Sequence, residues 1–234
     1  MKITISGWGI RVPGMMRVPP ELTGQPDRLR WNARYAGGFE ASFHPHPLAE
    51  RALSLRLPEG PVLDLASGPS GSALLAAAAG RRVTVVDVSE VALGLLREEA
   101  VRRGLSELIT FAHADLAAWR PPPGRYALVL CTGYWDRTVF PAAADAVAAD
   151  GLIGWEAFTA DARRARPALC ADWVLGPGEP AALLPAGFTV LARRELPDDQ
   201  RGTRRRLLAR RSAIRQPDHG AQHPSHGPLT GRGR

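Results

Sequence analysis

The sequence predicts an α/β fold in which a mostly parallel, doubly wound sheet of seven strands ends in an antiparallel hairpin. From Gly60 to residue 158, short β-branched runs alternate with Ala- and Leu-rich stretches, which is the pattern of strand–helix–strand units. Two further strand-like runs, 187–196 and 203–212, are separated by a polar turn too short for a crossover helix. We therefore expect those two runs to pair antiparallel.

The individual elements follow from apolar runs and from residues that begin or end helices. Five runs are predicted to be buried parallel strands: 61–67, 82–89, 108–116, 126–133 and 152–158. Three runs that end at or beside a glycine are predicted helices: 72–80, 90–104 and 140–150. Together with the hairpin, these runs account for seven strands.

The ends of the chain differ from its middle. Residues 1–30 contain several proline breaks and are expected to form an irregular arm, and residues 31–212 form the folded domain. Residues 213–234 are rich in Gly, Pro, Gln and His and lack large apolar groups, so a disordered tail is expected.

The net charge of +7 lies at one end of the chain. Residues 201–234 hold nine arginines against one aspartate, so the preceding 200 residues are close to neutral. A near-neutral domain does not favour a nucleic-acid partner. The arginines of 203–212 are instead expected on an edge strand, where charge opposes aggregation.

Several protein classes are excluded by what the sequence lacks. No run approaches the roughly 18 apolar residues of a membrane span, and the first residues do not resemble a signal peptide. The two cysteines, Cys131 and Cys170, cannot form a disulfide framework or a zinc site, and no metal site is expected. A cytoplasmic location is expected, and the oligomeric state is left open.

Three acids follow three successive predicted strands, and they carry most of the functional signal. Asp64, Asp87 and Asp115 each lie at the carboxyl end of a strand, the edge at which open α/β sheets bind ligands. A carboxylate at Asp87 can accept both hydroxyls of a ribose, and one at Asp115 can accept the amine of a purine. Singly, each acid also fits a turn or helix cap, but the order and spacing favour a nucleotide site.

The loop after the first strand distinguishes two cofactor classes. A dinucleotide fold needs G-x-G-x-x-G there to hold a pyrophosphate, as a NAD(P)-linked reductase would. This loop instead holds Asp64 with only Gly68 and Gly71. A carboxylate repels phosphate but attracts the cationic amino-acid end of S-adenosylmethionine (SAM). The charge therefore favours SAM.

The sequence resembles the class I SAM-dependent methyltransferases, because residues 64–68 are similar to their D-x-G-x-G motif. The segments 31–35, 43–45 and 173–179 are similar to the small tellurite-resistance-type (TehB-like) members. The resemblance implies a Rossmann-like fold, SAM as cofactor, and transfer of a methyl group to a small-molecule acceptor by in-line displacement. It also implies ten cofactor-binding residues: Trp31, Tyr35, Asp64, Ala66, Gly68, Asp87, Val88, Asp115, Leu116 and Cys131.

The loop departs from the family pattern at three positions. Ala66 stands where the family has its first glycine, and Pro69 and Ser70 replace a residue and a second glycine. If a left-handed residue is needed at Ser70, Gly71 is expected to supply it one position later. A SAM-binding interaction protein without turnover is therefore an alternative, and so is a nucleic-acid methyltransferase that uses the Arg-rich strand.

Three residues are predicted to act on the acceptor. Tyr134 follows the fourth strand and would lie beside the methyl group, where it can wall the site or stack on an acceptor. Arg34, in an arm that would fold over the cofactor as a lid, can attract an anionic acceptor or the SAM carboxylate. His44 can act as a general base, as can His46 two residues later. The acceptor itself is not specified.

Overall fold

The computed structural model describes residues 17–37 and 41–213, and within them seven strands form one sheet. The strands are β1 (Val62–Leu65), β2 (Val83–Asp87), β3 (Ile109–His113), β4 (Tyr126–Thr132), β5 (Val147–Phe158), β6 (Phe188–Leu196) and β7 (Arg204–Arg211). The helices are α1 (Pro26–Ala36), α2 (Pro47–Leu53), α3 (Gly71–Ala78), α4 (Glu90–Arg102), α5 (Val139–Asp145) and the single turn α6 (Ala162–Ala165).

The sheet has the order β3-β2-β1-β4-β5-β7-β6. Six strands run parallel to one another, and β7 runs antiparallel to them. The apolar side chains of α2, α3 and α4 pack on one face, and those of α5 pack on the other. The strand order reverses between β1 and β4, so the crevice at a topological switch point opens at their carboxyl ends. This confirms the predicted doubly wound, mostly parallel sheet with its terminal hairpin.

One predicted boundary is wrong. Residues 140–150 were expected to be helical throughout, but α5 ends at Asp145 and β5 begins at Val147. The N–H groups of Arg125 and Tyr126 donate to the carbonyl of Ala146 at 2.9 Å, which draws the chain into the sheet beside β4. Long-range pairing therefore overrides the local alanine-rich helix pattern.

The expected position of the Arg-rich run at an edge is also wrong, because β7 lies between β5 and β6. The edge strand of the hairpin is β6, whose side chains at Val190 and Leu191 are exposed. A hairpin can dock through either strand, and here the second strand carries the apolar run at 207–209 that is buried in the core. The arginines of β7 consequently face residues of the same chain.

The N-terminal segment enters helix α1 at Pro26, inside the stretch expected to be irregular, after a single 3₁₀ turn at Pro20–Leu22. Proline is favoured at the first position of a helix, so Pro26 begins a helix rather than breaking one. Residues 1–16 and the predicted disordered tail from residue 214 onward lie outside the described residues. Among the described residues, no helix has the length and apolar character of a membrane span.

Candidate cofactor and acceptor site

Three carboxylates lie at the carboxyl ends of the neighbouring strands β1, β2 and β3, as the sequence predicts. Asp64 is the third residue of β1, Asp87 is the last residue of β2, and Asp115 follows β3 by two residues. Asp64 and Asp87 are buried, and Asp115 is half-buried. These three acids thus share one edge of the sheet.

The turn after β1 adopts two left-handed conformations. Ala66 has a φ of 48° and Gly68 a φ of 57°. Gly68 supplies this geometry without strain, whereas Ala66 takes it at a cost of about 1–2 kcal/mol. Ser70 is extended and needs no left-handed conformation, so Gly71 is not required to supply one and is instead the first residue of α3.

Ser70 explains why the chain departs from the family pattern without breaking the turn. Its backbone is extended, and its Oγ accepts a hydrogen bond from the N–H of Ala73 at 3.1 Å, which caps α3. The same hydroxyl donates to Asp64 Oδ2 at 2.5 Å. Burial raises the pKa of Asp64 to about 6, and the hydrogen bond from Ser70 opposes that rise.

Asp87 holds the turn against β2. Its Oδ2 accepts the N–H of Gly68 at 2.8 Å, and its Oδ1 accepts the N–H of Ser89 at 2.8 Å. Burial raises the pKa of Asp87 even though these two hydrogen bonds favour its charged form. Each carboxylate oxygen retains a further lone pair, so Asp87 can still accept from a ribose hydroxyl.

Helix α1 lies across the tips of these strands. Four contacts from this helix and from Gln25, the residue that caps it, reach the proposed nucleoside site: Gln25 to Asp115 at 3.0 Å, Arg28 to Glu90 through two hydrogen bonds, Asn32 to Ser89 at 2.6 Å, and Tyr35 to Gly68. A Cβ built on Gly68 would lie only 2.9 Å from the Tyr35 hydroxyl. Tyr35 therefore covers the turn that the sequence assigned to the cofactor.

Sequence reasoning missed Gln25, Arg28 and Asn32. Together with Tyr35 they lie at positions 25, 28, 32 and 35, which is the spacing of residues on one face of a helix. Predicting a helix over this segment would therefore have grouped them. Burial and the proximity of Asp87 raise the pKa of Tyr35 to about 12, so its hydroxyl remains a hydrogen-bond donor. The ring of Trp31 stacks on Tyr35 with centroids 5.8 Å apart.

The remaining predicted cofactor residues flank this edge. The carbonyl of Val88 lies 3.0 Å from Nε2 of His113, and the side chain of Leu116 is buried beside Leu65. Cys131 is buried in β4, and burial raises the pKa of its thiol well above the ordinary range. The thiol of Cys131 therefore stays protonated and uncharged, and it is not a nucleophile.

Tyr134, which the sequence predicts to lie beside an acceptor, is fixed through its backbone carbonyl. Its carbonyl accepts the indole N–H of Trp155 at 2.9 Å, and Sγ of Cys131 lies 3.7 Å from the same oxygen. The Tyr134 hydroxyl faces Asp136 at 3.5 Å, and burial raises its pKa. The half-buried phenol thus stays protonated, so it can line a pocket or donate a hydrogen bond but cannot accept a proton.

The two candidate histidines differ sharply. The side chain of His44 is exposed. His46 caps α2, because its Nδ1 accepts the N–H of Leu48 at 3.2 Å, and its Nε2 lies 3.3 Å from Glu156 Oε1. Both ring nitrogens of His46 are therefore engaged, which excludes it as a base in this arrangement.

Glu156 anchors this corner of the site. It is buried at the end of β5 and contacts His46, Arg204 at 2.9 Å and Arg206 at 2.7 Å. Burial opposes its ionisation, but the hydrogen bonds from His46 and Arg206 outweigh burial and lower the pKa of Glu156 to about 2. The side chain is therefore charged at neutral pH.

Arg34 lies on the outer side of α1, with its guanidinium 5.5 Å from the ring centre of Trp31. Arg30, on the same side, stacks between Trp31 at 5.3 Å and Trp173 at 4.3 Å, which connects α1 to the segment after β5. Within the described part of the chain, no group of three or more His, Cys, Asp or Glu side chains is arranged to hold a metal ion.

Comparison with known proteins agrees with this geometry. Residues 62–151 match a family model described as a methyltransferase domain, and this range holds all three strand-tip acids. No curated protein sequence matches the chain.

Solved structures share the fold at low sequence identity. Geranyl diphosphate C-methyltransferase from Streptomyces coelicolor A3(2) aligns with a TM-score of 0.60 and 11% identity over 79% of this chain and 96% of its own. Magnesium protoporphyrin IX methyltransferase from Synechocystis PCC 6803 aligns with a TM-score of 0.57 and 19% identity, over 80% of this chain and 94% of its own. Phosphoethanolamine N-methyltransferase 2 from Haemonchus contortus aligns with a TM-score of 0.60 and 12% identity, over 82% of this chain and 58% of its own. All three were solved with S-adenosylhomocysteine (SAH).

Proposed function

We propose that this chain transfers a methyl group from SAM to a small-molecule acceptor by in-line displacement. The observation that carries the proposal is that an acid lies at the tip of each of β1, β2 and β3. The hydrogen bond from the N–H of Gly68 to Asp87 ties the turn after β1 to the tip of β2. The acceptors named for the structural neighbours, geranyl diphosphate and a phosphoethanolamine, are small molecules and support the choice of acceptor class.

In this proposal each acid contacts one part of the cofactor. Asp64 faces the cationic amino-acid end, Asp87 accepts from the ribose hydroxyls, and Asp115 accepts from the adenine amine. Ala66 and Gly68 allow close approach to the backbone, and Tyr35 covers the same turn. When bound, SAM supplies a methyl group already activated by its sulfonium. The protein then has to hold the acceptor in line with that carbon at about 3 Å.

The residues around Tyr134 are proposed to form the acceptor side. Tyr134 lines the pocket as a neutral phenol, and Arg34 attracts an anionic acceptor. His44 serves as base where the acceptor needs one, with its exposed imidazole as the proton acceptor. The likeness to tellurite-resistance-type methyltransferases and a cytoplasmic location remain parts of this proposal.

Calorimetric titration tests the cofactor site. We expect SAH to bind with micromolar affinity and NADH not to bind. Asp87→Asn should lose SAH binding, because its amide cannot accept from both backbone N–H groups and the ribose. Asp145→Asn, at an exposed position near the end of α5, is the matched control and should bind SAH as wild type does. Binding of SAH by Asp87→Asn at full affinity would contradict the proposed site.

Nucleic acid is a weaker candidate acceptor. The guanidinium groups of Arg204 and Arg206 contact Glu156, and that of Arg205 contacts Glu195. Arg210 and Arg211 donate to backbone carbonyls. Arginines engaged within the chain are poorly placed to neutralise phosphates. Salt-insensitive or absent RNA binding would remove this candidate.

The alternative of a SAM-binding protein without turnover rests on Ala66. Its left-handed φ of 48° is a strained feature of the cofactor turn. Tight SAH binding with no methyl transfer to any member of a broad acceptor screen would favour this alternative over the enzyme.

A further inference from the structure

Gln25 lies immediately before α1 and uses both ends of its side-chain amide. Its Oε1 accepts a hydrogen bond from the N–H of Arg28 at 2.7 Å, which caps the helix. Its Nε2 donates to Asp115 Oδ2 at 3.0 Å. A single side chain therefore joins the start of α1 to the third strand-tip acid.

We propose that Gln25 is a positioning residue for the cofactor. It fixes the carboxylate of Asp115 and makes that orientation depend on the docking of α1. This inference rests on the proposed function, since it takes Asp115 as the acid that accepts from the adenine amine. It adds a residue 90 positions away in the sequence to the nucleoside side of the site.

The contact orients Asp115 without blocking it. The N–H of Ala117 donates to Oδ1 at 2.9 Å, and Gln25 donates to Oδ2. A carboxylate has about four lone-pair positions, so two remain for a ligand amine. Because each oxygen already has one fixed donor, the plane of the carboxylate is set before a ligand arrives.

The docking of α1 depends on polar contacts of this kind. None of the side chains of α1 is fully buried, and Leu29 is 52% exposed. Apolar burial therefore contributes less to holding this helix than it does for a helix with a buried face. On this side of the helix, Gln25 contacts Asp115. Three further side chains reach other residues of the site: Arg28 contacts Glu90, Asn32 contacts Ser89, and Tyr35 lies against Gly68.

Two substitutions separate the two functions of Gln25. Gln25→Ser keeps an oxygen that can cap α1 but is too short to reach Asp115. Gln25→Glu keeps the length and the capping oxygen but replaces the donating amide by a second carboxylate. Gln200→Glu adds the same charge at an exposed turn and serves as the control.

The carboxylate variant gives a pH signature that loss of the helix cap alone would not produce. Two carboxyl groups within hydrogen-bonding distance share a proton at low pH and repel each other when both are charged. The charged or titratable groups connected to this pair are Tyr134, which both Asp115 and Asp27 influence, Arg28 beside Gln25, and Glu90 and His113, which Arg28 and Glu90 link to it in turn. Since they are also present in wild type, the ratio of variant to wild-type affinity at each pH removes their contribution.

The experiment measures the Kd of SAH, and of 5′-methylthioadenosine as the adenosine half, at pH 5 and pH 8. We expect Gln25→Glu to bind both probes about tenfold more weakly than wild type at pH 8 and nearly as well as wild type at pH 5. Gln25→Ser should be weakened by a similar factor at both pH values. Gln200→Glu should match wild type throughout.

The outcomes separate this inference from the proposed function. If wild type binds SAH and Gln25→Glu binds it equally well at pH 8, the positioning role is wrong while the proposed function stands. A loss for Gln25→Glu that is the same at pH 5 and pH 8 also overturns it, because only a structural role would then remain. If wild type binds neither SAH nor 5′-methylthioadenosine, both proposals are wrong.

Discussion

The hydroxyl of Ser70 donates a hydrogen bond to Asp64 Oδ2 across 2.5 Å, linking the first residues of α3 to the end of β1. Asp64 is only 3% exposed, and its burial raises its pKa from 3.8 to about 6. The carboxyl group is therefore charged at neutral pH only at a cost to folding. A cationic ligand group beside Asp64 would offset that cost.

Asp64→Asn should change how stability depends on pH. A folded-state pKa above the unfolded value means that the stabilising contribution is complete below about pH 4 and is lost as pH rises through about 6. The variant lacks this loss, so its free energy of unfolding relative to wild type should increase by up to about 3 kcal/mol across that window. Urea denaturation without ligand between pH 4 and pH 7 measures it. A constant difference over this range would contradict the raised pKa.

Glu156→Gln should destabilise the protein strongly at neutral pH. The substitution leaves Arg204 and Arg206 without their shared partner, and breaking a buried ion pair in this way costs about 3–5 kcal/mol. A folded pKa of about 2, below the ordinary 4.5, means that this contribution is present above about pH 4.5 and is lost as pH falls toward 2. The deficit of the variant should therefore shrink in acid.

The control for Glu156 is Glu195→Gln on β6. Glu195 pairs with Arg205, but its side chain is 46% exposed, so the loss should be about 0–1 kcal/mol. Chemical denaturation at pH 7 and pH 4 compares the two variants. Equal losses for the two would show that burial of Glu156 adds nothing to its ion pairs.

The fold and the acids of the site could be predicted because their signals are local. A buried run that ends in an acid and a turn of small residues marks a strand tip, which is how Asp64, Asp87 and Asp115 were found. Alternation of strands and helices then predicts a parallel sheet, whose carboxyl ends meet at one edge.

The rest depends on contacts between distant parts of the chain. Gln25 meets Asp115 90 residues away, and Arg206 meets Glu156 50 residues away. Nothing near either residue in the sequence indicates its partner. The strand at Val147 was missed for the same reason, since pairing with β4 competes with a local helix preference that the sequence alone displays.

Gly71→Ala should be costly although Gly71 has ordinary helical geometry. A Cβ at Gly71 would lie 2.4 Å from the carbonyl oxygen of Phe43 and from the carbonyl carbon of His44, both in the backbone. Backbone atoms cannot rotate away, so the segment must shift, at a cost of about 1–3 kcal/mol. Denaturant unfolding measures the change.

Gly94→Ala is the control for Gly71. Gly94 lies within α4, and a Cβ there would meet nothing within 4 Å. Alanine should stabilise this helix by about 0.5–1 kcal/mol. The two substitutions are chemically identical and are expected to have opposite signs. Stabilisation by Gly71→Ala would mean that the segment at Phe43 does not pack against α3.

The two histidines on either side of Pro45 should separate stability from chemistry. His46→Ala removes the cap of α2 and one partner of Glu156, so unfolding should become easier by about 1–2 kcal/mol. His44→Ala removes an exposed side chain and should change stability by less than about 0.5 kcal/mol. If His44 is the base, His44→Ala lowers kcat by at least about 100-fold with the first acceptor found, while the Kd of SAH stays unchanged. Full turnover by His44→Ala would remove His44 from the catalytic residues.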